Sequence, residues 1–91
     1  MVKAMGEVRE LKEEVGERVK VLASFTGPKI TIHFFSWRGR TYKVDSMNLF
    51  HIEKDAEHQI YNFAVSALGN TYQLTFDPVT LEWQLKDVLA L

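Results

Sequence analysis

Between Tyr61 and Leu85 the large side chains recur at every second position: Tyr61, Phe63 and Val65, then Tyr72, Leu74 and Phe76, then Leu81, Trp83 and Leu85. Period two over runs of this length predicts strands that are apolar on one face. The breaks between the runs predict how they join. Gly69-Asn70 fits a two-residue hairpin turn, because glycine tolerates φ > 0 at the first central position. That turn sets Leu68 opposite Thr71, Ala67 opposite Tyr72, Val65 opposite Leu74 and Phe63 opposite Phe76, and opposed residues share a face. Asp77-Pro78-Val79-Thr80 suits a type I turn, which pairs Phe76 with Leu81, Leu74 with Trp83 and Tyr72 with Leu85. Asn62, Ser66, Gln73, Thr75, Glu82, Gln84 and Lys86 then occupy the other face.

Upstream the period first reads as helical. Val8, Leu11 and Val15 recur at spacings of three and four, and Gly16 follows as a stop, so the pattern predicts a helix over about residues 5–15. Its glutamates interleave with Arg9, Lys12 and Arg18, as on a solvated helix face. Val19, Val21, Ala23 and Phe25 then alternate as a first strand, and Gly27-Pro28 ends it. In Lys29 to Trp37, Ile30, Ile32 and Phe34 line one face while Phe35 and Trp37 line the other, which predicts a central strand covered on both sides, by the helix on one of them. Arg38-Gly39 is the next tight turn, pairing Trp37 with Arg40 and Phe35 with Tyr42. A third strand from Arg40 to about Ile52 bends near Asp45-Ser46, and Glu53 to His58 is a charged connection. The expected fold is α+β but mainly β: one N-terminal helix, then a curled antiparallel meander of about six strands over residues 19–88, able to close as a small open barrel.

With 91 residues, 46% of them hydrophobic, the chain suffices for a single domain spanning 1–91. It has no cysteine, so it offers neither a disulfide framework nor a thiolate metal site. The polar N-terminus carries no leader-like apolar core and no run is long enough to span a bilayer, so a cytoplasmic protein with no membrane partner is expected. The net charge of −1 hides an uneven distribution: residues 19–52 hold five bases (Lys20, Lys29, Arg38, Arg40 and Lys43) against Asp45 alone. A sequence-independent nucleic-acid binder is usually basic overall, so any such role here is local.

Trp37-Arg38-Gly39-Arg40-Thr41-Tyr42 is the most suggestive motif, with two guanidiniums around a glycine turn and an aromatic ring on either side. Arginine forks bind phosphates and aromatic rings stack on unpaired bases, which nominates Arg38, Arg40 and Trp37, with Lys20, Lys29 and Lys43, as nucleic-acid-binding residues. The same pattern also describes two core aromatics and two solvated turn arginines. His51, Glu53, Asp55, Glu57 and His58 are metal-ligating types at spacings that match no closed site, and His33 reads as a satisfied strand histidine, so no metal or other cofactor is expected. No cysteine nucleophile, nucleophile elbow, phosphate-binding glycine loop or His-Glu-x-x-His is present, and no enzyme is expected.

At Phe35-x-Trp37-Arg38-Gly39-Arg40-x-Tyr42-x-Val44, and again at Phe76-Asp77-x-x-Thr80-x-x-Trp83-x-Leu85, the chain resembles a small bacterial family of unknown function. Members occur alone or encoded near lesion-bypass (Y-family) DNA polymerases. The resemblance covers roughly residues 19–88 and implies a partner that is nucleic acid or a DNA-processing protein, with no catalytic residues. The expected function is a non-enzymatic binding module, accessory to nucleic-acid processing through the basic aromatic hairpin. The alternative is a structural, oligomerising domain acting as a homodimer, paired through the lightly charged edge of Val19 to Phe25 or through the Val8-Leu11-Val15 stripe.

Overall fold

Gly16 does not end a helix; it sits in a β-bulge. The computed structural model describes residues 11–90, and within them the chain from Leu11 to Arg18 is strand β1. The expectation of a helix over 5–15 is therefore wrong for residues 11–15, while residues 5–10 lie outside the described region. Val15 and Gly16 together oppose Lys86, and Gly16 takes φ +65, the left-handed conformation of a bulge glycine. A glycine needing positive φ serves both a helix end and a bulge, so the sequence signal was right about the backbone and wrong about its context.

All described elements are strands: after β1 come β2 (Lys20–Thr26), β3 (Lys29–Trp37), β4 (Arg40–Lys43), β5 (Ser46–Asp55), β6 (His58–Ala67), β7 (Asn70–Asp77) and β8 (Glu82–Ala90). The fold is all-β, with eight antiparallel strands in two sheets, rather than α+β with six. The five-stranded sheet runs β1-β8-β7-β6-β5 and the three-stranded sheet β2-β3-β4. The expected bent strand from Arg40 to Ile52 is two strands, β4 and β5, in different sheets. Most of the expected charged connection is strand too, since β5 runs to Asp55 and only Ala56-Glu57 turns.

A second bulge removes the need for a helical cover. Leu22 pairs with Phe34 and Ala23 with Ile32, which leaves His33 as an extra residue in β3. One extra residue reverses the phase of a strand. Ile32 and Phe35 therefore both point inward, at 2% and 1% exposure, while Phe34 turns out to solvent. The expectation that β3 is apolar on two covered faces is corrected accordingly: its apolar residues, apart from Phe34, serve one interior.

The hairpin turns confirm one register and shift two. Arg38 and Gly39 have φ 52 and 77, Trp37 pairs with Arg40, and Phe35 pairs with Tyr42, as expected. In the β6–β7 hairpin the positive φ values fall on Leu68 and Gly69, so Ala67 pairs with Asn70, Val65 with Tyr72 and Phe63 with Leu74. Moving the turn by one residue moves each pairing by two, which keeps every side chain on its expected face. Asp77 Oδ1 accepts hydrogen bonds from the N–H groups of Val79 (2.8 Å) and Thr80 (3.4 Å), and the Leu81 N–H closes onto Asp77 O at 2.7 Å. This loop is longer than expected. Phe76 pairs with Trp83 and Leu74 with Leu85, and Leu81 lies exposed in the turn instead of on the buried face.

The two sheets share their corners. Val19 alone separates β1 from β2, and its N–H donates to Trp83 O of β8. Val44 and Asp45 separate β4 from β5; Val44 N–H donates to His33 O of β3 and Asp45 N–H to Ser66 O of β6. Each pair is one extended run that leaves one sheet and enters the other, so the two open sheets are joined at two corners around a common interior. That interior holds Ile32, Phe35 and Tyr42 of the small sheet against Phe63, Val65, Tyr72, Leu74 and Leu85 of the large one. Phe35 stacks on Tyr42 at 4.9 Å between centroids and meets Tyr72 across the sheets at 5.1 Å.

Candidate nucleic-acid interface

At one end of the molecule the sheets are tied by a carboxylate. Glu17 of β1 faces inward opposite Leu85, and its Oε1 accepts a hydrogen bond from the Trp37 indole at 2.9 Å. The Arg38 guanidinium donates to both Glu17 oxygens, at 2.8 and 3.3 Å, and lies 4.6 Å over the Trp37 ring. These hydrogen bonds, first from Arg38 and then from Trp37, hold the Glu17 carboxyl below the ordinary glutamate range. The bond to Glu17 in turn raises the Arg38 guanidinium above the usual arginine value. Of the residues nominated from sequence, Arg38 and Trp37 are thus engaged in a clasp between the two sheets. Arg40 rests 5.3 Å from the Tyr42 ring centroid, along the same end.

The lysines lie elsewhere. Lys20 opposes Ser36, Lys43 opposes Phe34 and Lys29 opposes Thr26, which places all three on the outer face of the three-stranded sheet. Lys20 and Lys43 stand on the strands either side of β3, two strand spacings across and two residues along, roughly 12 Å apart, while Lys29 is at the far end by the β2–β3 turn. Between them the His33 bulge exposes Phe34 at 38%, with Leu22 beside it at 60%. Around this apolar centre are polar groups: Ser24 hydrogen-bonds His33 at 2.8 Å, and Ser36 hydrogen-bonds Thr41 at 3.1 Å. No strand of this sheet contains an aspartate or glutamate.

Phe34 and Leu22 were not nominated from the sequence, because Phe34 reads as interior when the strand is taken as regular. One signal did point to it: the Arg38-Gly39 turn already places Lys43 opposite Phe34, on the face away from Phe35 and Tyr42. At the other end an open cleft of about 570 Å³ is walled by Phe25, Ile30, Tyr61, Phe76, Leu81 and Trp83, and has no lysine, arginine, histidine or carboxylate in its lining. Among the described residues no group of three or more His, Asp or Glu side chains could hold a metal ion. His58 of the suggested cluster instead hydrogen-bonds Asp77 at 3.0 Å, linking two hairpin turns. No helix of the described residues is long and apolar enough to cross a membrane. Comparison with protein-family models, with curated proteins and with solved structures finds no match to this chain.

Proposed function

We propose that the protein is a non-enzymatic binding module whose ligand is single-stranded nucleic acid, held on the outer face of β2-β3-β4. The observation that carries this reading is an exposed phenylalanine on a sheet face that bears three lysines and no carboxylate. Phe34 offers a stacking surface to an unpaired base, and Leu22 extends it; Lys20 and Lys43, one on each side, meet backbone phosphates. Ser36 and Thr41 add hydroxyl donors beside the lysines. This relocates the interface from the arginine hairpin to the adjacent sheet face, because Glu17 already neutralises Arg38. A role beside DNA-processing proteins, as the motif resemblance implies, is compatible with such a surface.

Fluorescence anisotropy with labelled single-stranded and duplex oligonucleotides at low salt tests it. Single-strand binding within the ordinary non-specific range of about 10⁻⁴–10⁻⁶ M is expected, with weaker binding to duplex. Phe34→Ala should weaken it by roughly 1–3 kcal/mol, the contribution of one stacked base. Lys20→Gln and Lys43→Gln should each flatten the salt dependence by about 0.7 in log–log slope. Arg38→Gln should leave it nearly unchanged. Absence of binding at ~100 μM protein, or a loss on Arg38→Gln with none on Phe34→Ala, refutes the proposal.

A further inference from the structure

Among the described residues the two sheets leave strand edges unpaired, and they are not equal. β1 is interrupted by its own bulge between Glu14 and Glu17, β2 runs beside the His33 bulge of β3, which shifts the pairing between Leu22 and Ala23, and β4 is only four residues long. The edge of β5 is different. Its one irregularity lies between Met47 and Leu49, where Asn48 hydrogen-bonds Ser46 and Ser66. Beyond it, Leu49 to Asp55 pair without interruption with Ala64 to His58. Along this regular stretch Leu49, Phe50 and Ile52 are exposed at 55%, 45% and 43%, on both faces of the strand. Flat edges carrying exposed apolar side chains are templates for pairing with another strand.

We infer that this edge is a dimer interface, in which Leu49–Asp55 of β5 pairs antiparallel with the same segment of a second copy, with Ile52 on the twofold axis. The register follows from the backbone and the charges. A two-residue loop closes on a hydrogen-bonded pair, here Asp55 and His58, so Asp55, Glu53, His51 and Leu49 turn their N–H and C=O groups toward β6. Phe50, Ile52 and Lys54 turn theirs outward. Centring on Ile52 matches these outward groups with one another: Ile52 meets its own copy, and Phe50 meets Lys54 of the second chain. The other face then sets His51 against Glu53 and Leu49 against Asp55, with no like charges opposed. Centring on Glu53 or on Lys54 instead opposes two glutamates or two lysines, which is destabilising. Centring on His51 pushes the pairing into the irregular stretch at Asn48. Isologous pairing of this kind closes as a C2 dimer and leaves no unpaired copy of the edge. It occupies neither the lysine face nor Phe34, and stands independently of the nucleic-acid reading.

Sedimentation velocity of the full chain over about a hundredfold concentration range is expected to show a monomer–dimer transition. Ile52→Pro removes an N–H that points away from β6, where an edge strand accepts proline, and it should give a monomer at every concentration with unchanged tryptophan emission. Because the chain has no cysteine, Ile52→Cys provides a second measurement that does not depend on that variant folding. Opposed Cα atoms in a hydrogen-bonded antiparallel pair are about 5.5 Å apart, within disulfide range. Mild oxidation should therefore link Ile52→Cys into dimers far faster than the Leu22→Cys control. A wild-type boundary that stays monomeric throughout, a dimer that survives Ile52→Pro, or equal crosslinking of the two cysteine variants would overturn the inference.

Discussion

Leu68 occupies the first position of a tight turn with φ 51 and leaves 59% of its surface exposed. The left-handed conformation costs an ordinary L-residue roughly 1–2 kcal/mol, and asparagine considerably less. Leu68→Asn creates the preferred Asn-Gly pair of a type I′ turn and should stabilise the protein by roughly 0.5–1 kcal/mol, read as a higher denaturation midpoint at constant m. Two carboxylates predict the acid side of the stability curve. Glu17 is depressed chiefly by its hydrogen bond from Arg38, and Asp77 chiefly by that from the Val79 N–H, with burial opposing and His58 assisting. A carboxylate lowered in the folded state stabilises it above the unfolded-state pKa, roughly 4 for these residues, and this contribution is lost as the pH falls through the folded value. Melting temperature should accordingly drop on acidification below that point. Glu17→Gln should flatten the drop and change Trp37 emission, whereas Asp77→Asn should flatten it while keeping the turn, since an amide oxygen still accepts from Val79. An acid limb as steep in both variants as in the wild type would show that neither carboxylate contributes.

Among the strands the His33 bulge has the largest consequence, because it decides which of two neighbouring phenylalanines enters the core. Phe35 is 1% exposed between Tyr42 and Tyr72, so Phe35→Ala should cost about 3–5 kcal/mol through lost contacts and cavity formation. Phe34→Ala, one position away, should cost less than about 0.5 kcal/mol, as expected of an exposed surface site. Equal losses in chemical denaturation would mean that the strand runs without its bulge. The contrast also explains what was legible at this scale. Period two and the Arg38-Gly39 turn predicted the β3–β4 pairing correctly because both are local signals. The bulge was not legible, since an extra residue is identified only by the opposing strand, here by Leu22 and Ala23. Likewise Leu11 to Val15 satisfied a helical spacing, yet became strand because β8, at the other end of the chain, supplied Leu11 with Ala90 and Glu14 with Asp87 as ladder partners.

For the molecule as a whole, the two joined sheets separate four surfaces. The Glu17 clasp closes one end, the aromatic cleft opens at the other, and the lysine face and the β5 edge lie on different sheets. A tandem prediction follows at this scale: an Ile52→Pro monomer should retain intrinsic single-strand affinity, measured by anisotropy below the dimerisation range, because Phe34, Lys20 and Lys43 stand on the sheet that does not contain β5. Loss of binding in that variant would join the two surfaces into one site. The sequence alone determined the composition of this system, namely alternating apolar residues that must form sheets, turns at residues requiring positive φ, and a basic segment from Lys20 to Lys43 without a carboxylate. These are properties of a residue and its near neighbours, so chain order suffices to specify them. The fate of each charge and ring was decided only on folding. Glu17 engaged Arg38 in an ion pair, a bulge delivered Phe34 to the surface, and pairing with β8 replaced the expected helix with a strand, because each depends on contacts between residues that the chain holds far apart.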